Sequence, residues 1–329
     1  PGVALNDEVL QAKTNNFLAA VHFGKKNLGI SFLDVSTGEF FTAQGDEAHI
    51  DKILQNFNPS EILVQKQNRT KFADIFGSLY HTFYLEDWVF QSEFATESLL
   101  KHFKVKSLKG FAIDDLEEGI IASGAILFYL SETQHKDLLH ISHIQRIIEE
   151  DYVWMDRFTI RNLELYYSTA PNAVTLLDII DKTVSPMGGR LLKRWLSLPL
   201  TNIDTIQQRQ AIVKFFIENE AVFEKFVFQI KQIADLERLI GKVATGKISP
   251  REVISLKNSL LAISPVKTLA EQSSNNALKH IAGELDPCLL LCEKIAETLN
   301  EDAPVNLQKG NVIANGVSEA LDELRNLSA

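Results

Sequence analysis

Short apolar runs broken by turn residues open the chain, and helical spacing takes over towards its end. Phe17 to Phe23 and Leu28 to Asp34 are apolar runs, and Ser36-Thr37-Gly38 supplies turn residues before Glu39 to Ala43, which predicts a strand meander. Asp46 to Phe57 reads as a helix that ends at Asn58-Pro59, because a residue before proline is pushed out of helical geometry. A short strand follows at Glu61 to Gln65, then a helix from Lys71 to Phe76 and a strand from Thr82 to Leu85. Helices are predicted at Glu93 to Phe103 and Asp115 to Thr133, the second with Ile120, Ile121, Ala125, Leu127, Phe128 and Leu130 on a broad apolar face. Hairpin-paired strands followed by strands separated by helices imply a mixed sheet covered by helices.

Ile141 to Ile148 and Tyr152 to Met155 alternate enough to suggest short strands. Beyond Thr159 nearly everything is helix. Asn202 is placed to cap a helix through Phe216, Glu220 opens one through Ile230, and Ile233 to Val243 carries Leu236, Leu239 and Ile240 on one side. Ser249-Pro250-Arg251-Glu252 spells a capping box with proline in the first turn, and its helix runs through Leu261. Asn275 to Ile281 and Pro287 to Leu299 are the next helices, and Ser318 caps the last one after the loop Glu301 to Gly316. The fold class is therefore α/β and then all-α, a mixed sheet of RNase H-like order followed by a helical domain. The expected domains are residues 1–137 and 138–329, joined near His135 to His140.

The chain is organised around Arg161 to Trp195, read as two helices and a tight corner. Ser185 is placed to cap a helix and Pro186 to fill its first position, where a missing N–H costs nothing. Met187, Leu191, Trp195 and Leu198 fall on one side, predicted to pack; Arg190, Lys193 and Arg194 fall on the other, predicted to stay wet. Gly188 and Gly189 each cost about 1 kcal/mol relative to alanine in a helix, so their expected use is close approach of another backbone. A phosphate cradle is disfavoured, since the spacing that wraps a nucleotide is missing. Ser185, Pro186, Gly188 and Gly189 are the predicted structural joint, and Arg190, Lys193 and Arg194 a small face for salt bridges or weak DNA contact.

Charge and composition narrow the function. The 329 residues are 45% hydrophobic, enough for two cores, and carry a formal net charge of −10, which as an average surface repels phosphate. Cys288 and Cys292, four apart in an apolar run, read as reduced core residues, which fits a cytosolic protein. No signal peptide or membrane-length apolar run is apparent. The chain starts at Pro1 and stops inside a predicted amphipathic helix, as expected of a piece of a longer protein. An RNase H-like nuclease needs clustered carboxylates for two divalent cations, yet the first strand carries no acid. Asp34 and Glu39 flank a turn and read as solvated, while His22 reads as a satisfied interior or edge residue.

Arg161-Asn-Leu-Glu-Leu165, Thr175-Leu-Leu-Asp178 and Thr183-Val-Ser-Pro-Met-Gly-Gly-Arg-Leu-Leu-Lys-Arg-Trp195 resemble, in order, the core region of the MutS family of DNA mismatch repair proteins. Gln208-Arg-Gln210 and Asp235-Leu-Glu-Arg-Leu239 resemble the same family. The resemblance implies a connector domain of RNase H-like fold followed by the first part of the core/lever domain. It further implies a non-catalytic coupling segment of a mismatch-recognition ATPase, with no cofactor of its own and with ATP and Mg bound in the parent protein. The implied partners are the remaining MutS domains, a second MutS subunit, MutL through the connector surface, and mismatched duplex DNA through the parent, with no membrane. The location is then cytoplasmic, bacterial and nucleoid-associated during repair. Phe216-Ile217-Glu218 repeats the pattern of the family's mismatch-reading motif but stands downstream of the connector, so Phe216 is read as core and Glu218 as solvated. Gly246-Lys247 is followed by Ile248 where a phosphate loop needs a hydroxyl. The competing readings are an RNase H-like nuclease with a helical domain, and a helical interaction scaffold with no DNA role.

Overall fold

A computed structural model describes residues 2–5, 9–133, 138–168, 170, 173–304 and 310–328. The chain divides into two compact units, the first made of Pro1–Thr183, Gly188–Asn202 and Ile240–Thr245, the second of Val184–Met187, Ile203–Leu239 and Gly246–Ala329.

In the first unit, β1 (Leu18–Phe23), β2 (Leu28–Asp34) and β3 (Glu39–Gly45) form the meander, and α1 (Glu47–Phe57) leads to β4 (Glu61–Gln65). Next come α2 (Arg69–Phe76), β5 (Thr82–Leu85), α3 (Ser92–Phe103), α4 (Glu117–Glu132) and β6 (Gln145–Arg146). The sheet order is β5-β4-β1-β2-β3-β6. β2 is antiparallel to β1 and β3, whereas β4 runs parallel to β1, β5 to β4, and β6 to β3, the order expected of an RNase H-like sheet.

Period-2 alternation sorts the β1 side chains into two cores. Leu18 and Ala20 join α3 and α4 on one face; Ala19 and Val21 join Ile50 and Ile53 of α1 and Phe72 of α2 on the other. Both faces are covered, so the central strands are apolar throughout instead of half polar. Two glycines let α4 come close: a Cβ on Gly29 would lie 1.9 Å from Glu118 O, and one on Gly124 would lie 2.5 Å from Ala95 Cα of α3. At α1, Asp46 caps the helix by accepting from His49 N at 2.8 Å, and Asn58 ends it in the left-handed region at φ 45°.

The second strand segment departs from the expectation. Ile141, Ile144 and Ile147 are buried at a spacing of three, which suits plugging a core better than pleating. Only Gln145–Arg146 pair with a neighbour, β3, and Tyr152 makes a single bridge to Leu200. Later in the chain lie α5 (Arg157–Asn162), α6 (Leu176–Ile180) and α7 (Pro186–Ser197). The predicted junction near His135 to His140 lies largely outside the described residues.

The helical run continues with α8 (Ile203–Glu218), α9 (Glu220–Ile230), α10 (Leu236–Ala244), α11 (Pro250–Leu261), α12 (Ile263–Glu271), α13 (Asn276–Glu284), α14 (Leu289–Thr298) and α15 (Glu319–Ser328). In the second unit, Phe226, Ala270, Leu278 and Ala282 make a small core backed by Ile212, Phe215 and Phe216. Phe216 is therefore core, while Glu218 is exposed and lies 3.8 Å from Lys214. The capping box at Ser249 is complete, with Glu252 N donating to Ser249 Oγ and Ser249 N donating to Glu252 Oε2. Helix α12 is unforeseen by the sequence reading. Pro265 sits in its first turn, where backbone N–H groups have no helical partner anyway. Cys292 is buried as expected, but Cys288 is exposed in the left-handed region at φ 50°.

Candidate functional site

Residues around the second half of α7 and the segment leading into β1 carry the densest polar chemistry of the first unit. Lys13 Nζ donates to both carboxylate oxygens of Asp181 and to Thr183 O, each at 3.0 Å. Arg190 Nη1 donates to Ala12 O at 2.8 Å, and Arg194 pairs with Glu39. Burial alone would raise the Asp181 pKa, but hydrogen bonds from Thr183 and Lys13 hold it below the ordinary value. Three separate ties thus bind residues 12–13 and the β2–β3 turn to the corner and to α7.

The turn itself supplies the anchor. Asp34 is fully buried and accepts from Asn15 Nδ2 at 2.9 Å, Asn16 N at 3.1 Å, Ser36 N at 2.9 Å and Ser36 Oγ at 2.7 Å. Asn15 Nδ2 also donates to Glu39 Oε2 at 2.6 Å. The expectation that Asp34 and Glu39 are solvated is therefore wrong. Asp34 is a hydrogen-bond hub where four donors converge out of reach of water, and Glu39, only partly exposed, accepts from Asn15, Thr37 and Arg194. Among the described residues no group of three or more His, Cys, Asp or Glu side chains could hold a metal ion. His22 is interior: its Nε2 lies 3.1 Å from Glu118 Oε2, its ring stacks on Phe90, and burial lowers its pKa to about 4.

The faces of α7 follow the expectation only in part: Leu198 is buried and Met187 half-buried as expected, but the middle of the helix is turned the other way. Arg190 is 2% exposed, whereas Leu191 and Trp195 are 43% and 40% exposed. The counterface is polar, made of Ala12 O and the Glu39 carboxylate, so Arg190 and Arg194 turn towards it while Leu191 and Trp195 turn outward. Lys193 is half-buried; its ammonium lies 5.7 Å from the ring centre of Tyr166, and desolvation pulls its pKa below the ordinary value. Burial pushes the Tyr166 hydroxyl up to about 12, and that oxygen is buried with no hydrogen-bond partner.

Pro186 opens α7 as its first residue, directly after Ser185. Gly189 does meet a close neighbour, but it is the aliphatic stem of Lys13, whose Cγ, Cδ and Cβ would lie 2.6 to 2.8 Å from an added Cβ. The nearest neighbours are thus side-chain carbons. Lys13, Asn15, Asp181 and Tyr166 escaped the sequence reading. Only Asp34-Val-Ser36, with its aspartate two residues before a serine, carries a local signal, that of an Asx-type turn.

An RNase H-like mixed sheet followed along the chain by a run of helices defines a chain of the α/β and then all-α class. Family models described as MutS domain II and MutS domain III match residues 16–145 and 158–328. Over 328 residues, all of this chain, the DNA mismatch repair protein MutS of Flavobacterium johnsoniae is 63% identical and that of Christiangramia forsetii 64%; the chain covers 38% of each. The MutS of Bacteroides thetaiotaomicron is 49% identical over 328 residues, again with 38% of its length covered. The chain belongs to the MutS family of DNA mismatch repair proteins. It spans somewhat over a third of the length of these relatives, and among the described residues no helix is long and apolar enough to cross a membrane.

Proposed function

We propose that this chain is the relay of a MutS-type mismatch-recognition ATPase, joining the mismatch reader, the clamp and the ATPase without performing chemistry itself. Its connector corresponds to residues 1–137 and its core/lever part to 138–329. ATP and Mg are bound elsewhere in the parent protein, and mismatched duplex DNA is reached through the parent. A second MutS subunit and MutL are its protein partners, MutL meeting the exposed side of α3. The parent acts in the bacterial cytoplasm, on the nucleoid during repair.

The observation that carries this reading is the triple tie of Lys13, Arg190 and Arg194. A packed helix moves as a unit, and these contacts make the segment entering β1 move with α7. Gly189→Val in the full-length protein is the test, since its side chain would collide with the Lys13 stem. Mismatch binding should persist while ATP-driven release from DNA slows. Unchanged melting together with unchanged release would sink the reading.

A further inference from the structure

We propose that the recess beside α7 is a binding site for a phosphate-type oxyanion, held by Lys193 and Tyr166. This assignment stands on the cavity and is independent of the relay role.

The cavity measures about 350 Å³, and its charged lining is Arg190, Lys193 and Arg194 with no carboxylate among the described residues. Such a lining is unexpected in a chain of net charge −10. The three cations differ in what they already hold. Arg194 is paired with Glu39, and Arg190 is engaged by Ala12 O. Lys193 has neither a carboxylate partner nor a hydrogen-bond acceptor among the described residues, and faces only the ring of Tyr166. An ammonium partly withdrawn from water without an acceptor carries a desolvation cost that an anion would offset.

Tyr166 adds a second donor. Tyr166 lines the same cavity, and its buried hydroxyl makes no hydrogen bond among the described residues; the nearby Ser197 hydroxyl gives its proton to Lys193 O at 2.9 Å and has none left for Tyr166. A cation and a hydroxyl that both lack an acceptor call for one ligand with negative charge and several acceptor oxygens, which describes a phosphate group. Asn58 and Ser60 add polar groups to the wall, and Phe17 and Phe57 add an apolar one. The volume lies at the small end of ligand pockets; it suits free phosphate or the phosphate of a mononucleotide, and a duplex does not fit in it.

Inorganic phosphate and adenosine monophosphate would be titrated separately into the 329-residue chain, with binding followed by phosphorus NMR and thermal melting. Saturable binding is expected, with a rise in melting temperature. Lys193→Met, which keeps the stem and removes the charge, should weaken it by about tenfold or more. Tyr166→Phe, which keeps the ring, should weaken it severalfold. Without ligand, Lys193→Met should melt no lower than the parent chain, because the uncompensated cation is gone. Tighter binding of the nucleotide than of phosphate assigns a nucleotide as the source, and equal binding assigns free phosphate. The proposal is overturned by the absence of saturable binding up to about 10 mM, corresponding to a negligible affinity. Binding undiminished in both variants overturns it too, as does binding of duplex DNA alone that Lys193→Met abolishes.

Discussion

The sheet of the first unit and the helices of the second store stability in different places. Every residue of β2 and β4 is buried, and Phe32, Leu18, Ile30 and Leu63 are among the largest side chains fully removed from water. The second unit has a small shared core and leaves Ile217 76%, Phe228 62% and Leu290 83% exposed. A strand buried on both faces uses nearly every side chain for packing. A helix uses only one stripe, so its ends and caps carry a larger share of what holds it in place.

The sharpest way to break this comparison is a matched pair of truncations followed by urea denaturation. Phe32→Ala should cost about 3–5 kcal/mol, whereas Leu290→Ala should stay within about 0.5 kcal/mol; equal losses would erase the distinction. Asp34→Ala strands the donors of Asn15, Asn16 and Ser36 in the sheet unit. It should cost about 2–4 kcal/mol, since each orphaned buried group costs about 1–3.

Acid should reach the sheet unit through His22. Its pKa falls from 6.5 to about 4 on burial, so the unfolded chain takes up the proton first. The stabilisation is complete above pH 6.5 and is lost as pH drops towards 4, by about 3 kcal/mol from this group. Glu118 is pushed the other way, upward, by burial and then by Glu117, so its protonation offsets part of the loss at the acid end. His22→Gln should flatten the slope of stability between those pH values, and an unchanged slope would assign it to other groups. Ser249→Ala, which opens the capping box of α11, should be the smallest of the destabilising changes, at about 1 kcal/mol, measured by thermal melting.

Much of the chain could be read from local pattern. Strands β2, β4 and β5 and helices α9 and α11 begin and end where apolar runs, Pro59 and the Ser249 box place them, because each of those signals acts within a few residues. Helix α12 escaped because Pro265 breaks a pattern without breaking a first turn, and the strand predicted at 141–148 is reduced to Gln145–Arg146 because a spacing of three resembles alternation in a short window.

The family resemblance carried by Thr183 to Trp195 and the α/β then all-α order were fixed by the residues alone. Which side of α7 is buried was decided only in three dimensions. A helical wheel assigns apolar residues to the inside by assuming an apolar neighbour; here the neighbour is Ala12 O and Glu39, more than 150 residues away in sequence. A similar distance hides the tie of Lys13 to Asp181, and the meeting of Lys193 with Tyr166 crosses irregular stretches that carry no helical period. Hydrogen bonds and charges at such separations leave no periodic trace, so only the folded chain brings them together.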